Sequence, residues 1–466
     1  MVIITPYFSQ SIYTHIINIK RHVFRTITSH LVSWKKTHRT PLLIRGARQV
    51  GKSFSVEEFG KTEFDKVISL NFDLNPGLIK IFDSRDPDSI ITQIELLFRV
   101  RITKNSLLFL DEIQECPNAI TSLRYFKELR PDLFVIGAGS LLEFAFTEGI
   151  RMPVGRIQFL NMFPLSFYEF MKAMGEDNLI SYLNTISYSD SIPPAVHEQL
   201  LVLLRTFVIL GGMPEVIVSY IETKSILEAS YVQDSLIETY KRDFSKYAKS
   251  SELIHLQTVF SAIPRMVSEQ IKYVNIDRES RSRELKTALH LLTLARVITP
   301  VFSTDASGLP LRAKLSNRQK FIFLDIGLMQ HLCGLNAEIL SQKEMMQINK
   351  GNLAEQFIGQ ELLALEDPYI SSELYFWARD KQGSSSEIDF CIARKGRIYP
   401  VEVKSGTTGR LRSLRIFIEE KKPPFGIRFW EGELSFHDDI LSIPLYMAGE
   451  SGRLIDEVFE AEKNHL

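Results

Sequence analysis

The stretch that decides the fold spans residues 42–53 and reads Leu42-Leu43-Ile44-Arg45-Gly46-Ala47-Arg48-Gln49-Val50-Gly51-Lys52-Ser53. Its last eight residues fit the pattern GxxxxGK[ST] with every fixed position filled. Glycines let backbone N–H groups close around phosphates, and a helix beginning at the lysine points its positive end at the anion. A plain glycine turn is the alternative. The apolar strand before the pattern and the amphipathic helix expected from Phe54 onward favour a phosphate-binding loop.

The loop predicts how a nucleotide is held. Lys52 is expected to neutralise the β- and γ-phosphates of ATP, and the Ser53 hydroxyl is expected to bind Mg2+. The nucleotide-binding residues predicted from the sequence are Gly46, Ala47, Arg48, Gln49, Val50, Gly51, Lys52, Ser53, Phe54, Asp111 and Ser140.

A second apolar segment, Leu107–Leu110, ends in two carboxylates. Such a pattern is common at strand ends, but it is informative here because it follows a phosphate loop. Asp111 is expected to hold Mg2+ through water or through Ser53. Glu112 is then placed to orient and deprotonate the attacking water, as a general base in catalysis.

Further apolar strand candidates alternate with helical segments, which predicts a parallel sheet covered on both faces. One of them, Val67–Phe72, lies between the loop and Asp111 in the sequence, an order typical of P-loop ATPases with an extra strand between the two motifs. The next strand, Phe134–Ile136, leads to Ser140 as a candidate sensor of the γ-phosphate. Arg156 is the candidate for stabilising transition-state charge, with a solvated or structural arginine as the alternative.

Composition sets broad limits. A chain of 466 residues predicts two to four domains. Residues 1–56 hold nine Lys or Arg and no acidic residue, a composition that resembles a transit peptide. Cleavage of most of this stretch, however, would destroy the nucleotide loop.

Three dispersed cysteines, Cys116, Cys333 and Cys391, favour a reduced cytoplasmic protein. The chain has no apolar run of about 18 residues, so we expect no membrane span.

Residues 251–335 combine helices with a predicted strand pair. The segment 277–294 begins with basic residues and continues into an apolar face, and the strand candidate Val297–Phe302 is followed by a polar turn. A winged helix-turn-helix fits this order, with the basic helix available to the major groove of DNA. A purely structural role, in which the unit relays the state of a nucleotide domain, is the alternative. The basic residues are Arg278, Arg281, Arg283 and Lys286.

Two strand candidates near the C-terminal end, 387–390 and 401–404, are separated by a basic turn at 395–397. Residues i and i+2 of a strand share a face, so Glu402 and Lys404 point the same way and Asp389 of the neighbouring strand can meet them. A hairpin with solvated acidic residues is the alternative.

An ordered set of motifs resembles one family, the AAA-plus-like ATPases of bacteria and archaea that carry a C-terminal restriction-endonuclease-like (PD-(D/E)xK) domain. The motifs are LLIRGARQVGKS, LLFLDEIQ, GAGSLLEF, PVGRIQFLNMFPLSFYEF, GGMPEVI and SSEIDFCIARKGRIYPVEVKSG, and together they cover about residues 21–430. The resemblance implies a cytoplasmic prokaryotic protein related to the signal-transducing branch of these ATPases. At the position of the candidate sensor Ser140 this chain has the sequence GAGS, whereas the family has a segment richer in serine.

The resemblance also implies roles for the C-terminal residues. Asp389 and Glu402 would bind Mg2+ or Mn2+, Glu355 from a preceding helix would be a further acidic ligand, and Lys404 would help activate water beside the scissile phosphate. The fold class expected for the whole chain is α/β. Its domains are a basic helical segment (1–35), the P-loop ATPase core (36–175), a helical lid (176–250), a winged-helix unit (251–340) and a restriction-endonuclease-like domain (341–455).

Three functions are consistent with these features. The first is an ATP-hydrolysing enzyme that acts on DNA with a metal-dependent nuclease-like domain. The second is an ATP-dependent signalling switch whose C-terminal domain binds nucleic acid or protein without cleaving it. The third is a chaperone-like ATPase that remodels protein. The expected partners are ATP and DNA rather than a membrane, and the chain is compatible with a homo-oligomer.

Overall fold

The computed structural model describes residues 23–37, 40–147, 155–314, 318–335, 351–379, 386–406 and 411–465. The chain divides into two compact units. Unit 1 comprises Met1–Phe163 and the short segment Asp367–Ser371, and unit 2 comprises Pro164–Glu366 and Ser372–Leu466. Most of the predicted N-terminal helical segment, residues 1–22, lies outside the described residues.

Unit 1 alternates strands and helices, as the sequence predicts. Its elements in chain order are α1 (Ile27–Thr37), β1 (Leu42–Arg45), α2 (Lys52–Glu63), β2 (Lys66–Asn71), a 3-10 helix (Pro76–Phe82), α3 (Pro87–Phe98), β3 (Ser106–Asp111), a 3-10 turn (Ile113–Glu115), α4 (Pro117–Leu129), β4 (Phe134–Gly139), α5 (Leu142–Thr147) and β5 (Gln158–Asn161).

The sheet of unit 1 has five strands in the order β2-β3-β4-β1-β5, and every neighbouring pair is parallel. Every residue of β3 and β4 is buried, as expected for strands covered on both faces. The strand that separates β1 from β3 in space is β4, while β2 forms one edge. All five strands run in one direction, so their carboxyl ends, and the loops that follow them, lie along one edge of the sheet.

Unit 2 begins with helices and continues into a mixed sheet. Its elements are α6 (Phe167–Met174), α7 (Asp177–Leu183), α8 (Pro194–Leu210), α9 (Pro214–Thr223), α10 (Ile226–Tyr247), α11 (Ser250–Met266), α12 (Tyr273–Ile276), α13 (Ser282–Leu294), β6 (Ile298–Thr304), β7 (Gln319–Phe323), α14 (Ile326–Cys333), α15 (Asn352–Leu365), β8 (Leu374–Ala378), β9 (Glu387–Arg394), β10 (Arg397–Val403), α16 (Arg412–Lys421), β11 (Gly426–Trp430), β12 (Ser435–His437), β13 (Ile440–Pro444), a 3-10 helix (Leu445–Glu450) and α17 (Ser451–His465).

Two domains expected to be separate share one sheet. The antiparallel pair β6–β7 was assigned from sequence to a winged-helix unit ending at residue 340. Yet β6 pairs in parallel with β8, and the eight strands follow the order β12-β13-β11-β10-β9-β8-β6-β7. The expected boundary near residue 340 therefore divides one continuous sheet. The helix α6 groups with unit 2, and the predicted end of the ATPase core at residue 175 stays a prediction.

The break between α8 and α9 shows why glycines occupy the sequence Gly211-Gly212. The buried carboxylate of Asp325 accepts hydrogen bonds from the N–H groups of Gly212 (2.6 Å) and Leu328 (3.0 Å). A Cβ atom on Gly211 would lie 2.0 Å from Asp325 Oδ1, and Gly211 has a φ of 76°. Glycine is therefore required by both the close approach and the backbone conformation.

The helix α15 is buried on nearly every face and carries polar side chains into the core of unit 2. Gln356 accepts from the N–H and donates to the carbonyl of Phe323, both at 2.7 Å, and Gln360 accepts from the N–H of Ile326 at 3.0 Å. Glu361, 1% exposed, accepts from the N–H of Phe167 at 2.9 Å, at the start of α6. These bonds satisfy polar groups that would otherwise be left unpaired away from water.

Candidate functional site

The phosphate loop connects the end of β1 to the start of α2. Gln49 and Gly51 have positive φ angles of 62° and 94°, which turn the backbone back toward the helix. A Cβ atom on Gly46 would lie 2.2 Å from the Met162 carbonyl oxygen, so only glycine fits there. The ammonium of Lys52 donates to the carbonyls of Gly46 (3.0 Å) and Ala47 (2.8 Å). The loop therefore has the conformation that the sequence pattern predicts.

A buried arginine outside the motif supports this loop. Arg25, only 7% exposed, donates to the carbonyl oxygens of Val50 (2.7 Å) and Phe163 (2.6 Å). The sequence predicts only that Arg25 lies in a basic helical segment. Nothing in its local pattern indicates that it reaches a loop 25 residues away along the chain.

Ser53 and Asp111 lie together, as predicted for a magnesium site. The Ser53 hydroxyl donates to Asp111 Oδ1 at 2.8 Å, and the side-chain amide of Asn71 donates to Asp111 Oδ2 at 2.9 Å. The backbone N–H of Glu112 also donates to Asp111 Oδ1, at 3.1 Å. Burial raises the pKa of Asp111, the charge of Glu112 raises it further, and the hydrogen bonds from Ser53 and Asn71 oppose the rise. A cation placed here would favour the carboxylate.

Glu112 follows the strand in a left-handed backbone conformation with a φ of 49°. Its carboxylate accepts a hydrogen bond from Gln114 Nε2 at 2.6 Å, and the Ser140 hydroxyl lies 3.5 Å from the same oxygen. Ser140 is buried at the end of β4. The predicted base and the predicted sensor therefore lie at one edge of the sheet, beside Asp111. Asn71 and Gln114 were missed, although Asn71 ends β2 and could have been found from the rule that parallel strands end at one edge.

Arg156 lies elsewhere. It precedes β5, whose first residue Gln158 is aligned with Leu42 at the start of β1. This is the edge opposite the phosphate loop, and the Arg156 guanidinium pairs with Glu128 at 2.8 Å. The structure therefore does not bring Arg156 to the nucleotide site of its own chain, because β1 separates the two edges. The predicted role of Arg156 in stabilising transition-state charge would therefore need the nucleotide of another copy of the chain.

The C-terminal carboxylates converge as expected. The turn at 395–396 joins β9 to β10 in antiparallel register, and Asp389 Oδ2 accepts the N–H of Val403 at 2.7 Å. Lys404 donates to Glu402 Oε1 at 2.5 Å, while Glu402 Oε2 is buried and has no hydrogen-bond partner. The side chains of Val401 and Val403 are buried in the core.

Two residues that the sequence analysis did not assign complete this cluster. Lys320 of β7 contacts Glu387 and lies 3.7 Å from Glu355 Oε2. Gln270 donates to Glu387 Oε2 at 2.6 Å. Burial and the charge of Asp389 raise the pKa of both Glu355 and Glu402. The carboxylates of Glu355, Glu387 and Asp389 raise the pKa of Lys320 in spite of its burial.

One feature of this cluster suits a metal ion and two oppose it. Glu402 Oε2 is an unpaired oxygen suited to a hard divalent cation. Yet the described residues contain no group of three or more carboxylate, histidine or cysteine side chains arranged to hold a metal ion. An ammonium, Lys320, is already present among the carboxylates. In this conformation the cluster does not fit a metal ion.

The helix α13 presents its basic start to solvent. Arg278, Arg281, Arg283 and Lys286 are exposed, and Leu285, Leu289 and Leu292 are buried. The predicted polarity of the helix is confirmed. Contact with DNA stays a prediction.

Among the described residues, no single helix combines the length and apolar character needed to cross a membrane. The helices α8 and α9 meet those criteria only as a pair, and they are bent by 119° at the break between them.

Comparison with known proteins identifies the N-terminal unit. Residues 38–171 match the model of the AAA domain family AAA_14. Residues 202–339 and 350–446 match two domains of unknown function, DUF8612 and DUF4143. No curated protein matches the chain.

Similar solved structures include a Walker-type ATPase of Pyrococcus abyssi, with 15% identity over 67% of this chain and 96% of that one and a TM-score of 0.43. A Signal Transduction ATPase with Numerous Domains (STAND) protein with a tetratricopeptide repeat sensor from Pyrococcus horikoshii has 11% identity over 74% of this chain and 46% of that one, with a TM-score of 0.28. Drosophila ORC bound to DNA has 11% identity over 66% and 84% of the two chains, with a TM-score of 0.26. At these TM-scores the likeness carries no functional argument.

The family match covers the phosphate loop and the neighbouring Ser53, Asp111 and Glu112, which the structure brings together at one sheet edge. The chain therefore contains, in residues 38–171, an AAA-type P-loop ATPase domain with an ATP-binding site.

Proposed function

We propose that this protein hydrolyses ATP with Mg2+ and uses the cycle to control how unit 2 engages nucleic acid. The observation that carries the hydrolysis proposal is the 2.8 Å hydrogen bond between the Ser53 hydroxyl and Asp111. It joins the hydroxyl at the end of the loop to the carboxylate at the end of β3, the two oxygen ligands that a P-loop ATPase uses to hold Mg2+ beside the phosphates.

Each side chain has a distinct part in this proposal. Lys52 exchanges its hydrogen bonds to the loop carbonyls for the β- and γ-phosphates. Asn71 keeps the carboxylate of Asp111 oriented, and Ser53 and Asp111 would hold Mg2+, which would neutralise charge developing on the phosphate oxygens. Glu112 accepts the proton of the attacking water, with Gln114 fixing the carboxylate. Ser140, whose hydroxyl lies 3.5 Å from Glu112 Oε2, would respond to the γ-phosphate.

The experiment compares ATP affinity and turnover in four proteins. Lys52→Ala should abolish ATP binding measured by calorimetry. Glu112→Gln should bind ATP and turn over at least ~100-fold more slowly, because it keeps the shape but loses the base. Glu115→Gln, which changes an exposed glutamate on the 3-10 turn that follows Glu112, is the matched control and should behave as wild type. Normal turnover in Glu112→Gln would move the base elsewhere, and unchanged affinity in Lys52→Ala would refute the assignment of the loop.

DNA as the partner is supported by the exposed basic start of α13, followed by the antiparallel pair β6–β7. This order of helix, helix and hairpin is that of a winged helix, in which the basic helix can enter the major groove. In the simplest version, unit 2 binds nucleic acid and the ATPase cycle changes its affinity. A switch that binds protein instead, or a remodelling ATPase, would leave nucleic-acid binding absent in every nucleotide state.

Cleavage of nucleic acid is a second candidate function, favoured by the arrangement of Asp389, Glu402 and Lys404 on β9 and β10. Such cleavage would need Mg2+ or Mn2+ on Asp389 and Glu402 with Glu355 as a further ligand, an arrangement that the cluster does not offer while Lys320 lies among its carboxylates. Lys404 would place a positive charge beside the reacting phosphorus.

Cleavage is tested with plasmid, single-stranded and branched DNA, with each metal and nucleotide. Mg2+ or Mn2+ should support cleavage and Ca2+ should not, because its looser coordination positions water less well. The double variant Asp389→Ala/Lys404→Ala should lose cleavage and keep ATP hydrolysis. Activity that survives the double change would come from a contaminant. Absence of cleavage in every condition would leave the switch as the function of unit 2.

A further inference from the structure

Arg25 lies ahead of helix α1 and outside the matched ATPase region, residues 38–171, yet its buried guanidinium reaches the phosphate loop. The two terminal nitrogens form separate hydrogen bonds. Nη1 donates to the Val50 carbonyl at 2.7 Å, and Nη2 donates to the Phe163 carbonyl at 2.6 Å. The first bond is made to the loop and the second to the segment that follows β5. One side chain therefore ties the loop to another segment of the same unit.

The carbonyl that Arg25 binds belongs to a fully buried residue, since Val50 is 0% exposed. A buried carbonyl left without a donor costs free energy, and a charged donor binds it more strongly than a neutral one. The fork of a guanidinium also fixes the direction of each bond that it makes. Arg25 therefore determines which way the Val50 carbonyl points.

The direction of this carbonyl decides the direction of the next amide. The peptide bond between Val50 and Gly51 is planar and trans, so its C=O and N–H point to opposite sides of the chain. With the carbonyl held toward Arg25, the Gly51 N–H faces the other way. That N–H donates to no backbone carbonyl among the described residues. Backbone N–H groups of this kind, at a loop that opens a helix, are the donors that surround a bound phosphate.

We propose that Arg25 is a positioning residue of the nucleotide site, which orients the Gly51 N–H toward the phosphates of ATP by holding the Val50 carbonyl. Gly51 has a φ of 94° and no Cβ atom, so little else restrains this peptide from rotating. The inference rests on the ATP-binding site of residues 38–171 and needs neither hydrolysis nor nucleic acid. The functional ATPase therefore begins before the matched region, at the arginine that precedes α1.

The test measures ATP affinity by calorimetry in the full chain carrying Arg25→Met, together with thermal melting. Affinity should fall by at least ~10-fold, because the loss of a charge-assisted hydrogen bond frees the loop peptide to rotate. Lys35→Met is the matched control. Lys35, near the end of α1, donates to the carbonyl and the carboxylate of Glu63 at the end of α2, and so links the same helix to unit 1 without touching the loop. It should bind ATP as wild type does, even where it lowers the melting temperature.

Hydrogen exchange of the Gly51 amide gives a second measurement. Saturating ATP should protect this amide less in Arg25→Met than in wild type or in Lys35→Met. Arg25→Lys is the second variant, for use if Arg25→Met does not fold. It keeps the charge but lacks the fork of donors, so it should recover at most part of the affinity.

Two results would overturn the inference. One is wild-type ATP affinity and Gly51 protection in a folded Arg25→Met protein. The other is wild-type affinity in Arg25→Lys, since charge alone would then be sufficient. Either result would leave the phosphate loop standing as the nucleotide site if Lys52→Ala still loses ATP, whereas ATP binding that survives in Lys52→Ala would refute the loop itself.

Discussion

Asn71 and Ser53 each hydrogen-bond one oxygen of Asp111, the side chain that we propose holds Mg2+. The Asn71 amide is the donor to Asp111 Oδ2, while Ser53 is the donor to Asp111 Oδ1. Asn71→Ala should leave one buried oxygen without a partner, a loss of about 1–3 kcal/mol in comparable cases. We expect a rise in the Mg2+ concentration needed for half-maximal ATP hydrolysis, of about 10-fold, with little change in ATP affinity measured without metal.

The control for Asn71 is Asn118→Ala, which removes a partly buried asparagine that pairs with Arg85 in the same unit. It should leave the Mg2+ dependence unchanged. Asn71→Ala with wild-type Mg2+ dependence would show that Ser53 alone orients Asp111.

Glu361 makes the stability of unit 2 depend on pH. Burial raises its pKa to about 8 and the charge of Glu169 adds to the rise, against the hydrogen bond from the Phe167 N–H. Between about pH 4.5 and 8 the folded state therefore binds more protons than the unfolded state. The free energy of unfolding contributed by this group falls as pH rises through that window, by at most about 1.4 kcal/mol per pH unit.

Glu361→Gln removes this titration. Wild type should lose stability relative to the variant as the pH is raised from about 5 to about 8. Urea unfolding at several pH values measures the difference, and Glu215→Gln, an exposed glutamate on α9, should show no such trend. A difference that stays constant with pH would mean that Glu361 is ionised throughout.

At the scale of elements, the turn from β1 into α2 depends on one contact. A Cβ atom on Gly46 would lie 2.2 Å from the Met162 carbonyl oxygen, which is backbone and cannot swing aside. Gly46→Ala should weaken ATP binding by more than ~10-fold and lower the stability of unit 1 by about 1–3 kcal/mol, the usual effect of overpacking. Thermal melting and calorimetry measure both. Gly77→Ala, where a Cβ meets nothing within 4 Å, should change neither.

The exposed start of α13 gives a second prediction at this scale. If it contacts phosphates, Arg281→Glu/Arg283→Glu should weaken DNA binding for all sequences alike and reduce the dependence on salt by about one counterion per lost contact. Gel shifts at several salt concentrations measure this. The control is the double variant Lys66→Glu/Lys80→Glu, which makes the same change in charge at two exposed lysines of unit 1. Equal losses in both doubles would indicate a general charge effect and leave α13 as a structural relay.

The elements differ in how far the sequence could predict them. The phosphate loop, the ends of β3 and β4 and the β9–β10 hairpin follow local patterns, since each depends on residues within a few positions. The parallel pairing of β6 with β8 was not predicted, because it joins segments about 70 residues apart whose apolar patterns fit many partners. For the same reason Lys320 and Gln270 were missed, although Asp389, Glu402 and Lys404 were found.

At the scale of the whole molecule, Arg156 is informative about assembly. It lies at the sheet edge opposite its own phosphate loop and is half-exposed, so as a charge-stabilising arginine it would have to act on the nucleotide of another copy. Arg156→Ala should then slow turnover by ~1000-fold or more, as for other arginines supplied in trans. Mixing the Arg156→Ala protein with the Lys52→Ala protein should restore activity, because the first still binds ATP and the second still supplies Arg156.

Arg124→Ala is the matched control, because Arg124 pairs with the same Glu128 at 3.1 Å. It should leave turnover unchanged. A wild-type rate in Arg156→Ala would make Arg156 a structural residue. Loss of activity that mixing does not restore would exclude the proposed exchange between copies.

The five residues Asp367–Ser371 belong to unit 1, although the chain on both sides of them belongs to unit 2. Asn161 lies at the end of β5. Its backbone N–H and its side-chain amide both donate to the Pro368 carbonyl, and the side-chain amide also donates to the Ile370 carbonyl. The side-chain oxygen of Asn161 accepts a hydrogen bond from Arg45. The chain thus passes between the units three times. A protein cut after Phe163 would keep the phosphate loop but leave these donors unpaired next to β1. Neither unit can therefore be exchanged between related chains as one continuous segment. An exchange of unit 1 would have to include these five residues together with Met1–Phe163.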